Sequence, residues 1–341
     1  MGRLRVVFAA LLLALLAPGA AAAYSWPFKP FNRQHPIRGF FGDPRTVYYN
    51  GILATPFVGT GIFSFHQGVD IVARDGTPIY AVADGTAHYL GSATLNLITK
   101  GGVTFQYFHI VSVVGEEQAV RAGKTVLGYV QPPFGHVHIT EINDGKAVNP
   151  LQRGHLTPYR DRTKPHISSI EITNQTGVLQ APLGLCGRVE VDADAFDVPP
   201  VPVPGKFHGL PVAPAFVRWK LTRLGGHVVV PWQVTADFRK TLPPNSTFFN
   251  VYAHGTYENA PRFGREQYAS MPGRYLFLLA ANYDTTTIPN GVYTITVQAA
   301  DERGNSTFAA RRISVLNAHG GQCPGSLPLP PGAPPPPEPP R

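Results

Sequence analysis

Apolar and polar residues alternate along much of this chain. Gly291-Val-Tyr-Thr-Ile-Thr-Val-Gln-Ala-Ala300 sets an apolar side chain at nearly every second position, Asp301 to Asn305 supplies turn residues, and Ser306 to Leu316 returns. A period of two puts one set of side chains on one face of a strand, so this stretch predicts a hairpin with one buried face. Ile167-Ser-Ser-Ile170-Glu-Ile172 opens another strand, and the turn pairs Asp75-Gly76 and Asp84-Gly85 bracket a third. Helical periodicity is not evident beyond the first residues. The pattern predicts a mainly β chain.

Composition sharpens this picture. Among 341 residues there are 35 Gly and 35 Pro, which favour short strands joined by tight turns, and 43% are hydrophobic, enough for packed cores. Arg3 and Arg5 precede an uninterrupted apolar run from Val6 to Ala17, with Pro18-Gly19 and the small residues Ala20 to Ala23 behind it. The run is short for a membrane span, so residues 1–23 are expected to be a cleaved signal peptide, with an uncleaved anchor as the rival reading. Two β-rich segments follow, 24–162 and 164–317, with the boundary marked by charge and Pro165. The second is long for one sandwich of ~100 residues, and the Pro-rich insert from Val198 to Pro214 explains part of the excess. Residues 318–341 form a tail in which 10 of the last 18 residues are Pro; such a stretch is expected to be extended, without a core.

Charge and cysteine content narrow the compartment. The formal charge of +8 becomes +6 without Arg3 and Arg5, suited to an envelope rich in anionic polymers or simply to solubility. No dense basic stripe interleaved with aromatics occurs, so nucleic acid is not an expected partner. Cys186 and Cys323 are the two cysteines. In an exported protein a bridge between them is expected, stapling the root of the tail to the second segment.

The candidate chemistry lies in the first segment. His66-Gln-Gly-Val-Asp70, Tyr107-Phe-His109 and His136-Val-His138 occur in this order within less than a hundred residues. On a strand, His136 and His138 share one face. One of them can bind a metal while the other reaches a metal-bound water, and the sequence leaves open which does which. With His66 and Asp70, two imidazoles and a carboxylate make three ligands with a fourth position open, the arrangement of a catalytic zinc. The His-Glu-x-x-His helix of other zinc peptidases is absent. Asp192, Asp194 and Asp197 suggest a calcium loop, but their spacing fits a solvated strand edge and turn better.

These motifs resemble those of the lysostaphin-type (LytM-type) cell-wall endopeptidases. The likeness covers residues 41 to 150: Phe41-Gly42, His66 to Ile71, Gly76 to Gly85, Tyr107 to His109, Val120 to Gly128, His136 to His138 and Val148 to Pro150. It departs from the family at Gln131-Pro-Pro-Phe-Gly135, at Val137, at Thr140 where an acidic residue is usual, and in the loop between Leu90 and Phe105. The resemblance implies an antiparallel β-sheet domain with a narrow groove. The hairpin from Gly291 to Leu316 separately resembles the closing hairpin of bacterial immunoglobulin-like domains, so residues 164–317 are expected to be a separable immunoglobulin-like β-sandwich without a metal. The endopeptidase resemblance implies one zinc ion per chain held by His66, Asp70 and His138, with His109 and His136 catalytic. The implied activity is hydrolysis of peptide bonds in bacterial peptidoglycan by a secreted or wall-associated monomer with no membrane span after signal cleavage. The alternative is a non-catalytic wall-binding or amidase-activating module.

Overall fold

The computed structural model describes residues 23–47, 62–91, 93–175, 177–259, 272–317 and 323. The expected signal peptide and Pro-rich tail fall outside these residues, apart from Ala23 and Cys323. No helix among the described residues is long and apolar enough to cross a membrane.

The chain is nearly all β. Its first part contributes β1 (Ile37–Gly39), β2 (Pro44–Val47), β3 (Ile62–Phe65), β4 (Val69–Val72), β5 (Pro78–Tyr80), β6 (Gly85–Gly91) and β7 (Thr94–Ile98). There follow β8 (Thr104–Phe108), β9 (Ile110–Ser112), β10 (Gln118–Val120), β11 (Val126–Val130), β12 (His136–Asn143) and β13 (Lys146–Val148). An antiparallel sheet runs β1-β4-β12-β8-β7-β6-β10, with β13 also on β12, while β5-β11-β9 and β2-β3 form smaller sheets. Along β12, Val137 and Ile139 are fully buried in the core beneath the sheet. The period of two therefore places His136 and His138 on the opposite face.

The second part contributes β14 (His166–Asn174), β15 (Arg188–Phe196), β16 (Phe216–Arg223), β17 (Val228–Asp237), β18 (Leu276–Asp284), β19 (Gly291–Ala300) and β20 (Ser306–Val315). They form two antiparallel sheets, β14-β15-β18 and β17-β16-β19-β20. Ile172, Val191 and Phe277 of the first meet Val217, Trp219 and Ile295 of the second in one core. A disulfide joins Cys186 to Cys323.

Two expectations need correction. The second part is not a free-standing module, because Phe41 and Phe65 of the first part lie in its core. The Phe65 ring sits 5.3 Å from Phe248 and 5.7 Å from Phe238, and the Tyr252 hydroxyl donates to the Gly42 carbonyl at 2.8 Å. Nor do Asp192 and Asp197 lie at a solvated edge: both are buried. The reason is topological. β15 is the middle strand of its sheet, paired on both sides; Val191, Ala193 and Ala195 face the core, and Asp192, on the other face, is buried between its cross-strand neighbours Glu171 and Leu278.

Candidate active site

The site forms where β4 meets β12. Their antiparallel register sets Asp70 directly opposite His138 and Val72 opposite His136, a spacing at which facing side chains touch. His66 reaches the same point from the turn after β3. Its backbone is pinned on both sides: its N–H donates to the Asp43 carbonyl at 2.9 Å, and its carbonyl accepts from Gly42 N–H at 2.9 Å. Gly68 explains the glycine of His-x-Gly-x-Asp, since a Cβ there would lie 2.2 Å from the Ile139 carbonyl oxygen and 2.8 Å from His138 Nε2. Any larger residue would push β12 off its neighbour.

Three ligand atoms converge. His138 Nδ1 lies 2.9 Å from Asp70 Oδ1, His66 Nε2 lies 3.2 Å from the same oxygen, and the two ring nitrogens are 2.8 Å apart. His66 Nδ1 is 2.8 Å from the Phe40 carbonyl oxygen. A carbonyl only accepts, so Nδ1 carries the proton and Nε2 turns a lone pair to the cluster. Burial, then the nearby Arg45 charge, push the His66 pKa down to about 3, so the ring is neutral at ordinary pH. His138 Nε2 is bonded to Thr140 Oγ1 at 2.8 Å, leaving Nδ1 as its inward nitrogen. Two imidazole nitrogens and a carboxylate oxygen, oriented from behind by a carbonyl and a hydroxyl, match the donor set of a transition-metal site. His66, Asp70 and His138 are all within reach of one ion.

His136 and His109 flank this cluster without joining it. His136 Nδ1 donates to the Phe134 carbonyl at 2.9 Å, so its Nε2 is the basic atom; it lies 3.6 Å from Asp70 Oδ1 and accepts from Arg38 at 3.3 Å. The His109 ring is 4.5 Å from that of His136 and stacks on Phe134 at 4.2 Å. His109 turns inward from the end of β8 with φ of 63°, a left-handed conformation uncommon outside glycine. Burial pushes both pKa values down to about 4, His136 adding to the effect on His109 and the Arg38 charge to that on His136. Beside the pair opens a cleft of about 570 Å³ lined by Arg38, Phe134, Lys206 and Phe207, the last two from the Pro-rich insert of the second part.

The sequence reading missed several residues that hold the site. Arg45 donates to Asp70 Oδ2 at 3.0 Å and is itself surrounded by Asp43 and Glu258. Asp43 closes the turn beneath His66, accepting from Phe40 N–H at 2.9 Å and from Ala213 N–H at 2.7 Å. Thr140, noted only as a departure, orients His138, and Phe134, within another departing stretch, backs His109. The one available signal was Phe41-Gly42-Asp43: Gly42 has φ of 92°, and its missing Cβ makes room for the Phe238 ring.

The chain is similar to known proteins over part of its length. An uncharacterised metalloprotease of Haemophilus influenzae is 32% identical over 142 residues, 38% of this chain and 25% of that protein. The chain thus spans about a quarter of the length of that curated relative. Among solved structures, a zinc-containing peptidase from Vibrio cholerae is 21% identical, with 37% of this chain and 39% of that one covered and a TM-score of 0.29. Pseudoalterin, described as an M23 metalloprotease from the deep sea, is 16% identical, with 47% and 90% covered and a TM-score of 0.27. The profile of Peptidase family M23 matches residues 64–150, a span that takes in His66, Asp70, His109, His136 and His138, and this part of the chain is an M23 peptidase domain.

Proposed function

We propose that the chain is a secreted zinc metalloendopeptidase that hydrolyses peptide bonds of bacterial peptidoglycan. The observation that supports it best is the meeting of His66 Nε2, His138 Nδ1 and Asp70 Oδ1 beside two neutral imidazoles. His66, Asp70 and His138 would hold one zinc ion and leave a coordination position open, as in catalytic sites. When bound there, zinc supplies Lewis acidity, polarising a carbonyl and acidifying water. Arg45 pairs with Asp70 at 3.0 Å and orients its carboxylate.

The remaining work falls to the two free histidines. Because His136 Nδ1 is committed to Phe134, a proton taken from the attacking water arrives at Nε2, where Arg38 fixes the ring. The proton held on His136 then goes to the departing amine, and the neutral His109, braced on Phe134, donates its N–H to the developing oxyanion. The cleft beside them takes an extended peptide against Phe134 and Phe207, and the Arg38 and Lys206 side chains suit the carboxylates of wall peptides. The basic, apolar and small-residue order of residues 1–23 supports export.

The test is digestion of purified peptidoglycan by zinc-loaded protein, with the new amino and carboxyl ends identified by mass spectrometry. New peptide ends are expected, and none from His138→Ala. Zinc-loaded wild type that binds walls yet releases no new ends would leave the non-catalytic module as the reading.

A further inference from the structure

We infer that Asp161, Asp197 and Asp301 form a buried calcium site that locks the two parts of the chain together. The three residues come from separate places: Asp161 from the segment joining the two parts, Asp197 from the residue after β15, and Asp301 from the start of the β19–β20 turn. All are buried, yet one carboxylate oxygen of each lies within 4.8 Å of the other two.

Their other bonds leave a gap. Asp161 accepts from Thr163 N–H at 2.9 Å and from the Tyr159 hydroxyl at 3.1 Å. Asp301 accepts from Arg303 N–H and Asn305 N–H, each at 2.8 Å. Asp197 uses Oδ1 to accept from Val198 N–H at 2.8 Å, but its Oδ2, in a residue only 1% exposed, has no partner. An unpaired carboxylate oxygen in a dry interior is costly, and two further carboxylates beside it raise the cost. Arg303 feels the Asp301 charge but pairs with none of the three carboxylates, its guanidinium donating instead to the Leu151 and Tyr159 carbonyls at 2.7 and 3.2 Å.

The donors select the ion. An all-oxygen set of three carboxylates suits a hard cation and not zinc. Magnesium keeps several waters, whereas calcium exchanges its waters for protein oxygens, which fits carboxylates this deeply buried. The competing occupant is a proton: burial, with Asp161 and Asp301 adding, pushes the Asp197 carboxyl up to about 8. This site is separate from the histidine cluster and does not depend on the proposed reaction.

The full chain, treated with a calcium-selective chelator, is the material for the test. Terbium added to it is expected to emit on tyrosine excitation, because Tyr159 bonds directly to Asp161, and calcium is expected to quench that emission by displacement. Millimolar calcium is expected to raise the unfolding midpoint by about 3 °C or more. Asp197→Asn is expected to lose both responses, and His138→Ala, which removes a proposed zinc ligand, to keep them. Equilibrium dialysis of the wild type with radioactive calcium is expected to find one ion per chain, so a poorly folding variant leaves the matter testable. No retained calcium, or terbium emission unchanged by Asp197→Asn, overturns the proposal. A midpoint indifferent to calcium but raised by Asp197→Asn would also overturn it and identify the occupant as a proton.

Discussion

His136 and His138 are two residues apart on one strand face, yet their second nitrogens separate them. His138 holds Thr140 through Nε2 and presents Nδ1 to Asp70, while His136 ties Nδ1 to the Phe134 carbonyl and turns Nε2 towards Arg38. Removing His138 therefore removes a donor from the cluster, whereas removing His136 or His109 leaves all three donors in place. His138→Ala is expected to lose bound zinc and turnover together. His136→Ala and His109→Ala are expected to retain zinc by elemental analysis and to lose turnover by about 10²- to 10⁴-fold. A metal-free His136→Ala protein would reverse the assignment within the pair. Strand periodicity made it legible that His136 and His138 share a face, and the glycine of His66-Gln-Gly-Val-Asp70 marks a close approach, whereas His109 and the division of roles came only from the family resemblance. The supports of these residues were not legible: the Phe40 and Phe134 carbonyls are main-chain atoms that every residue possesses, and Arg45 acts through a contact across 25 positions of sequence.

At the scale of elements, alternation identified β19, its turn and β20 almost to the residue, because every second residue of β19, with Ile313 and Val315 of β20, is buried while the residues between them are less so. It failed on β15. A strand paired on both sides can bury a charged side chain that its sequence shows as polar, and Asp192 is such a case. Its Oδ1 has no partner, and burial, with Glu190 and Glu171 alongside, pushes its carboxyl up to about 8. The unfolded side chain releases its proton near pH ~4, so between that pH and about 8 the folded state holds the extra proton. Its contribution is complete below pH ~4 and is lost as pH climbs through about 8. Asp192→Asn is expected to raise the unfolding midpoint at pH 8 and to make almost no difference at pH 4. A gain of equal size at both pH values would show that charge is not its source.

The molecule as a whole joins its two parts through the turn that holds His66. Phe238 of the second part lies against Gly42, close enough that a Cβ there would be 2.3 Å from its ring; Tyr252 bonds the Gly42 carbonyl, and Asp43 takes the Ala213 N–H. Those same residues position the His66 backbone, so the second part braces the cluster of His66, Asp70 and His138 from behind. Phe63 and Phe65, from the strand that leads into His66, pack on Phe248. A tethered module that only gathers substrate would leave hydrolysis of a small soluble peptide intact when deleted. Here deletion after Thr163 would strip the cover from Phe41 and Phe65 and release the turn. The full chain is therefore expected to unfold in one cooperative calorimetric transition. Phe238→Ala, a buried aromatic truncation that costs about 3–5 kcal/mol, is expected to lower that single midpoint. It should also reduce turnover of a small peptide and of whole walls by the same factor, since the damage lies in the site and not in wall capture. Two resolved transitions, with residues 24–163 alone retaining full activity on the small peptide, would show that the brace is dispensable.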